Sequence, residues 1–177
     1  MNLKYIPLKE DYQHYPKLKY LYEHAFPEAE RPPFSILVSF KNNQIFAVEK
    51  DDEFVGLFTV VDKDDLLYLF FLAVKKKYRK EGIGSQIIKD IFIRYQGKRI
   101  FLLAEDVDVP CDNKQERLSR IKFYEKNGLF RSGEKVIEYE IAYEILDNRS
   151  AVGKNDFLKV MEYTVGDFYP IYVKNVK

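Results

Sequence analysis

The chain has 177 residues, 46% of them hydrophobic and 16% aromatic, with Tyr and Phe but no Trp, enough apolar surface for one domain with a real core. Charged residues make up 32% and nearly cancel to a net charge of +1, so there is no global field to hold DNA or RNA, and no nucleic-acid partner is expected. Cys111 is the sole cysteine and His14 and His24 are too far apart for an i, i+4 pair, which removes a disulfide framework and a Cys-based zinc site; no metal is expected.

The segment Met1–Tyr5 turns polar at once, without the apolar region of a signal peptide, and no apolar run approaches the roughly 18–20 residues of a membrane span. A cytoplasmic protein with no membrane association is expected. Leu3–Leu8 reads as a short opening strand. From Asp11 to Phe26 the residues Leu18, Leu21, Tyr22 and Ala25 recur at helical spacing. Pro27 and Pro32-Pro33 then impose a loop, and a second short helix is predicted from Phe34 to Phe40.

Gln44–Glu49 and Glu53–Val61 are rich in β-branched and aromatic residues and are divided by Lys50-Asp51-Asp52, so they predict two strands. Leu66–Val74 is apolar throughout, as suits a central strand covered on both faces. A helix over Gly84–Tyr95, a strand over Arg99–Glu105, a polar loop over Asp106–Asn113 and a helix over Lys114–Asn127 follow. Gly97 and Gly128 end the two helices. Arg131–Ile137 and Tyr139–Leu146 predict a closing pair of strands, and Asn155–Tyr163 predicts a last helix. The order describes an α+β fold: a mainly antiparallel meander, then a right-handed strand–helix–strand unit. Residues 1–146 form the domain. Residues 147–177 are an extension whose aromatics pack on that domain or on a partner subunit, the latter giving a homodimer.

The most informative segment is Val74-Lys75-Lys76-Lys77-Tyr78-Arg79-Lys80-Glu81-Gly82-Ile83-Gly84-Ser85. A buried strand delivers the chain to a basic, glycine-spaced turn, and a helix leaves it. Gly82 and Gly84 allow backbone to approach an anion closely, and the helix N-terminus adds partial positive charge. The physical reading is a diphosphate cradle. Against it stand an ordinary solvated turn and a nucleic-acid or import patch. A P-loop is disfavoured because the Gly-Lys-Ser/Thr ending is missing, and a dinucleotide fold because the chain opens with a meander.

Arg79-x-x-Gly82-x-Gly84, after a strand ending Leu72-Ala73-Val74, resembles the Arg/Gln-x-x-Gly-x-Gly/Ala signature of the GNAT superfamily of N-acetyltransferases. Arg120–Leu129, with Phe123-Tyr124-Glu125 and Gly128, resembles that family's second signature. The resemblance implies a mixed, mainly antiparallel central sheet flanked by helices, and acetyl-CoA as co-substrate. It implies that Leu72, Ala73 and Val74 hold the pantetheine arm through their backbone, with an N–H near Val74 aimed at the developing oxyanion. It implies that Arg79, Lys80, Glu81, Gly82, Ile83, Gly84 and Ser85 hold the pyrophosphate.

The same resemblance implies an acetyl group moved to a primary amine by direct attack in a ternary complex. Tyr124 would be the general acid that protonates the leaving thiolate. Glu105, at a strand end, would be the base acting through water, or a solvated glutamate. Tyr68 lies where other members carry a glutamate. The loop joining the first two helices usually contributes to the acceptor pocket, so Phe26, Phe34 and Glu30 would meet the amine. The Asp106–Arg117 segment is longer than usual, and Asn113 is the nearest counterpart of the family's Asn. Cys111, with acidic neighbours and no nearby histidine, is a poor nucleophile. A non-catalytic acyl-CoA sensor or interaction module is the alternative.

Overall fold

The computed structural model describes residues 1–177. Its strands form one seven-stranded, mainly antiparallel sheet of order β1-β2-β3-β4-β5-β7-β6, the α+β arrangement expected from the element order. The chain divides into two compact units, residues 1–61 with 69–94 and residues 62–68 with 95–177.

In the first unit, β1 (Lys4–Pro7), β2 (Asn43–Lys50) and β3 (Glu53–Lys63, through Val61 in this unit) pair antiparallel in sequence order. Asp51 and Asp52 both turn through left-handed backbone, φ 51° and 63°, which lets two residues close the β2–β3 hairpin. Helix α1 (Tyr15–Ala25) carries Pro16 in its first turn and buries Leu18 and Tyr22, four residues apart on one face. Helix α2 (Phe34–Ser39) buries Phe34 and Leu37. These side chains pack on Ile45, Ala47, Leu57, Phe71 and Ala73 from the strands. Helix α3 (Ile83–Arg94) buries Ile83, Ile87, Ile88 and Ile91, which share one helical face.

Strand β4 (Leu66–Val74) begins in the second unit and ends in the first. Its opening residues Leu66–Tyr68 pair in parallel with Arg99–Phe101 of β5 (Arg99–Glu105). The rest of β5 pairs antiparallel with β7 (Ile141–Asp147), from Leu102↔Leu146 to Glu105↔Tyr143, and β7 pairs in turn with β6 (Phe130–Glu138). Tyr139 does not open the last strand. It and Glu140 form the hairpin turn, at φ 48° and 68°, so β6 runs one residue further than the composition suggested.

Helix α4 (Lys114–Lys126) lies between β5 and β6 in the chain. Residues 147–177 fold back within this second unit. Helix α5 (Lys154–Val165) buries Phe157, whose ring meets Tyr68 edge-on at 5.9 Å. Arg99 holds Asp156 through two hydrogen bonds, of 2.8 and 3.1 Å, and Asp65 through a third of 2.7 Å. Past the one-turn helix α6 (Tyr169–Tyr172), Lys177 exchanges two backbone hydrogen bonds with Ile137 of β6.

Candidate active site

In the first unit, the end of β4 leads through Lys76–Tyr78, a single 3-10 turn, to Arg79 and then α3. Lys80 (φ 71°) and Gly82 (φ 81°) adopt left-handed backbone, which swings the chain into the helix. The first amide to donate into α3 is that of Gln86, to Gly82 O at 3.0 Å, and the amides of Gly82 to Ser85 make no hydrogen bond within the chain. Four adjacent donors at the positive end of a twelve-residue helix are chemically suited to an anion.

The five cations of this turn sort into two groups. Lys75 is drawn inward, donating to Phe54 O at 3.0 Å, and burial with neighbouring Lys77 lowers its ammonium below the usual value. Lys77 is bound by Glu53 at 3.3 Å, and Tyr78 donates to the same carboxylate. Arg79 is exposed, its Nε bonded to Val74 O at 3.2 Å with the rest of the guanidinium uncommitted. Lys76 and Lys80 are exposed and unpaired. Glu81 ties the turn to β2 through Lys50 at 3.0 Å. The strand before it is close-packed. A Cβ on Gly56 of β3 would lie 2.6 Å from Ala73 O, so only glycine lets β3 approach the Leu72–Val74 backbone.

In the second unit, Tyr124 lies on the last full turn of α4, its ring edge-on to Phe123 at 5.2 Å and its hydroxyl without a hydrogen bond in the chain. Burial raises its phenol above the ordinary value, and Arg120, one turn earlier, pulls the other way. Glu105 ends β5 with only 6% of its surface exposed. Arg117 Nη2 approaches its Oε1 at 3.0 Å without hydrogen-bond geometry, and Arg120 pairs with Oε2. Arg120 therefore brings the two expected catalytic residues into one cluster. A carboxylate facing two guanidinium groups is electrostatically committed, which suits an anchor better than a proton acceptor.

The long loop is stitched down by charge. Asn113 accepts from Arg117 Nε at 2.8 Å, and Arg117 Nη1 donates to Asp106 O at 2.9 Å. Lys135 binds Asp106 at 2.7 Å and Asp108 at 2.8 Å, while Arg131 binds Glu144 at 2.6 Å and Asp108 at 2.9 Å. Asp106, Asp108 and Glu144 have carboxylate oxygens within 4.8 Å of one another, and Lys135 and Arg131 between them engage all three.

The expected acceptor residues are divided. Phe34 is a core side chain, packed on Tyr15 and Tyr22 at 5.7 and 5.5 Å. Phe26 is half-buried with its ring 4.8 Å from Phe71, and Glu30, also half-buried, closes a short 3-10 turn. Arg31 stiffens this loop by donating to Phe26 O at 3.0 Å and Glu23 O at 3.3 Å. Tyr68, in the second unit, is buried and stacks on Phe101 at 4.8 Å. The sequence reading missed Arg117 and Arg120. Their spacing to Tyr124, seven and four residues, places all three on one helical face, a signal that marks the face but not the glutamate it meets.

Residues 41–128 match the family model described as an acetyltransferase (GNAT) domain. Among solved structures, the chain resembles a GNAT-family protein from Bacteroides thetaiotaomicron at 18% identity, with 97% of this chain and 98% of that one covered and a TM-score of 0.72. It also resembles the ribosomal-protein-S18-alanine N-acetyltransferase of Escherichia coli at 14% identity, with coverages of 87% and 98% and a TM-score of 0.61. A third is a GNAT-family acetyltransferase from Elizabethkingia anophelis with acetyl-CoA bound, at 13% identity, coverages of 82% and 97% and a TM-score of 0.59. A search of the curated proteins gave no match.

Proposed function

We propose, for a chain that belongs to the GNAT superfamily of acetyltransferases, that it moves an acetyl group from acetyl-CoA to a primary amine by direct attack within a ternary complex. The observation that carries this reading is the seat of four uncommitted amides, Gly82 to Ser85, beside the uncommitted cations Lys76, Arg79 and Lys80. That donor set fits a pyrophosphate: backbone N–H groups at a helix start, with positive charge alongside. The Leu72–Val74 backbone would hold the pantetheine arm. Acetyl-CoA supplies the activated acyl carbon and a thiolate leaving group.

The protein's own part is to hold, orient and move protons. An alkyl amine has a pKa near 10.4, so it arrives as an ammonium and must lose a proton before attack. The departing sulfur takes a proton, and Tyr124 supports the role of donor because its hydroxyl is uncommitted and stays protonated at neutral pH. Arg120 beside it offsets part of the rise that burial imposes on the phenol, keeping it the stronger acid. Glu105 positions Arg117 and Arg120 in this reading. Phe26 and Glu30, from the loop after α1, line the acceptor side, and Phe34 supports Phe26 through Tyr22 in the core.

The test is isothermal titration with acetyl-CoA of the wild type and of an Arg79→Glu, Gly82→Glu double variant. Micromolar-range binding that the double variant abolishes is the expected result. No binding by folded wild type would defeat the proposal. Binding without turnover across a panel of amines would leave an acyl-CoA sensor.

A further inference from the structure

Four half-buried or buried carboxylates of the second unit end up in different company. Glu105 holds Arg117 and Arg120, Asp106 holds Lys135, and Glu144 holds Arg131. Glu138, at the end of β6, holds no cation. Its Oε1 accepts a hydrogen bond from the Tyr172 hydroxyl at 2.5 Å, and burial raises its carboxyl above the usual range. Strand alternation puts it on the face that carries Val136, which pairs with Tyr143, which pairs with Glu105. The phenols of Tyr68 and Tyr172 both feel its charge, and Tyr68 feels Tyr143 as well. Tyr139, which is exposed, feels the same charge, its ring 6.1 Å from that of Tyr172.

The end of the chain keeps this group together. Tyr139 donates its amide to Asn175 O at 2.8 Å, and Lys177 pairs with Ile137, so α6 and Tyr172 are fixed against β6. Glu138 itself keeps part of its surface open. A carboxylate without a counter-ion is costly to bury, and a cation entering beside it gains that charge.

We propose that Glu138, with the Tyr172 hydroxyl on its Oε1 and Tyr143 on the same strand face, seats the ammonium group of the acceptor, whose class is therefore a cationic alkyl or aralkyl amine. This rests on the acetyltransferase reading for its purpose but not for its chemistry. The seat attracts the charged amine and gives its proton somewhere to go: the ammonium N–H bond breaks, Glu138 becomes the neutral acid, and the nitrogen keeps the electron pair that attacks.

The experiment titrates phenethylamine, tyramine, n-butylamine and putrescine into the full chain, with and without CoA, alongside the N-acetylated, uncharged form of each monoamine. At least one amine binds the wild type and its acetylated form does not. Glu138→Gln, isosteric and able to keep the Tyr172 hydrogen bond, weakens that amine tenfold or more, with acetyl-CoA affinity and Tm unchanged. Glu138→Asp, which keeps the charge, falls between. Equal amine affinity in wild type and Glu138→Gln, or no binding of any amine by the wild type, overturns the proposal. Loss of acetyl-CoA binding by the wild type instead defeats the functional reading and leaves the amine titration to be judged by itself.

Discussion

Tyr124 and Arg120 sit one helical turn apart, and their chemistry is coupled through that spacing. Tyr124→Phe removes the only proton its side chain could give, and general-acid roles are worth about 10²-fold or more. The expected result is a fall in kcat of that order with acetyl-CoA affinity retained, measured by steady-state assay and titration. The sign of the pH effect follows from the raised phenol. A phenol held above its ordinary value is a donor across the whole neutral range, so activity falls only on the far alkaline side, as the phenol ionises. Arg120→Ala removes the charge that opposes burial, so the phenol rises further and the alkaline limb moves up while kcat drops. An unmoved limb would mean that Arg120 serves packing alone. At this scale the sequence disclosed the tyrosine through its signature and left the arginines hidden, because their meaning comes from a glutamate at the end of another element.

The elements were legible where local rules were strong. Leu66–Val74 and Arg99–Glu105 fall on the residues that their apolar content marked, and Gly97 and Gly128 end helices in left-handed backbone at φ 87° and 88°. The β6–β7 turn was misread because Tyr139 and Glu140 adopt positive φ without glycine or asparagine to signal it. Gly56 was silent for a different reason: its need comes from a neighbouring strand. Gly56→Ala puts a methyl 2.6 Å from a backbone oxygen that cannot swing away, so it should cost about 1–3 kcal/mol and depress Tm. Gly82→Ala meets open space and carries only its left-handed φ, so about 1 kcal/mol is expected. Thermal unfolding of the two variants decides it, and a larger loss at Gly82 would contradict the packing argument.

At the scale of the whole chain, charge is nearly cancelled in sum and unevenly invested in place. Residues 155–163 announced a helix, but nothing local announced its partner, because Asp156 meets Arg99 across 57 positions of sequence. That pairing holds the Asp156 carboxyl below its usual range, with Gly153 N–H assisting. At Asp106, burial pushes upward, but Lys135 and the Asp108 amide outweigh it and the carboxyl also sits low. Carboxyls that titrate lower in the fold than in the unfolded chain stabilise above about pH 4, and that stability is lost as pH falls through their folded values. The depressed carboxyls of the first unit, Asp52 and Glu53, are on the surface, where pairing contributes little. Acid should therefore loosen residues 95–165 before residues 43–61. Hydrogen exchange near pH 3 should show β5, β7 and α5 losing protection first. Asp156→Asn, which discards the ionised partner, should lower stability at pH 7 and flatten its dependence between pH 5 and 3. Protection lost evenly along the chain, or an unchanged slope in the variant, would place the acid sensitivity elsewhere than in these pairs.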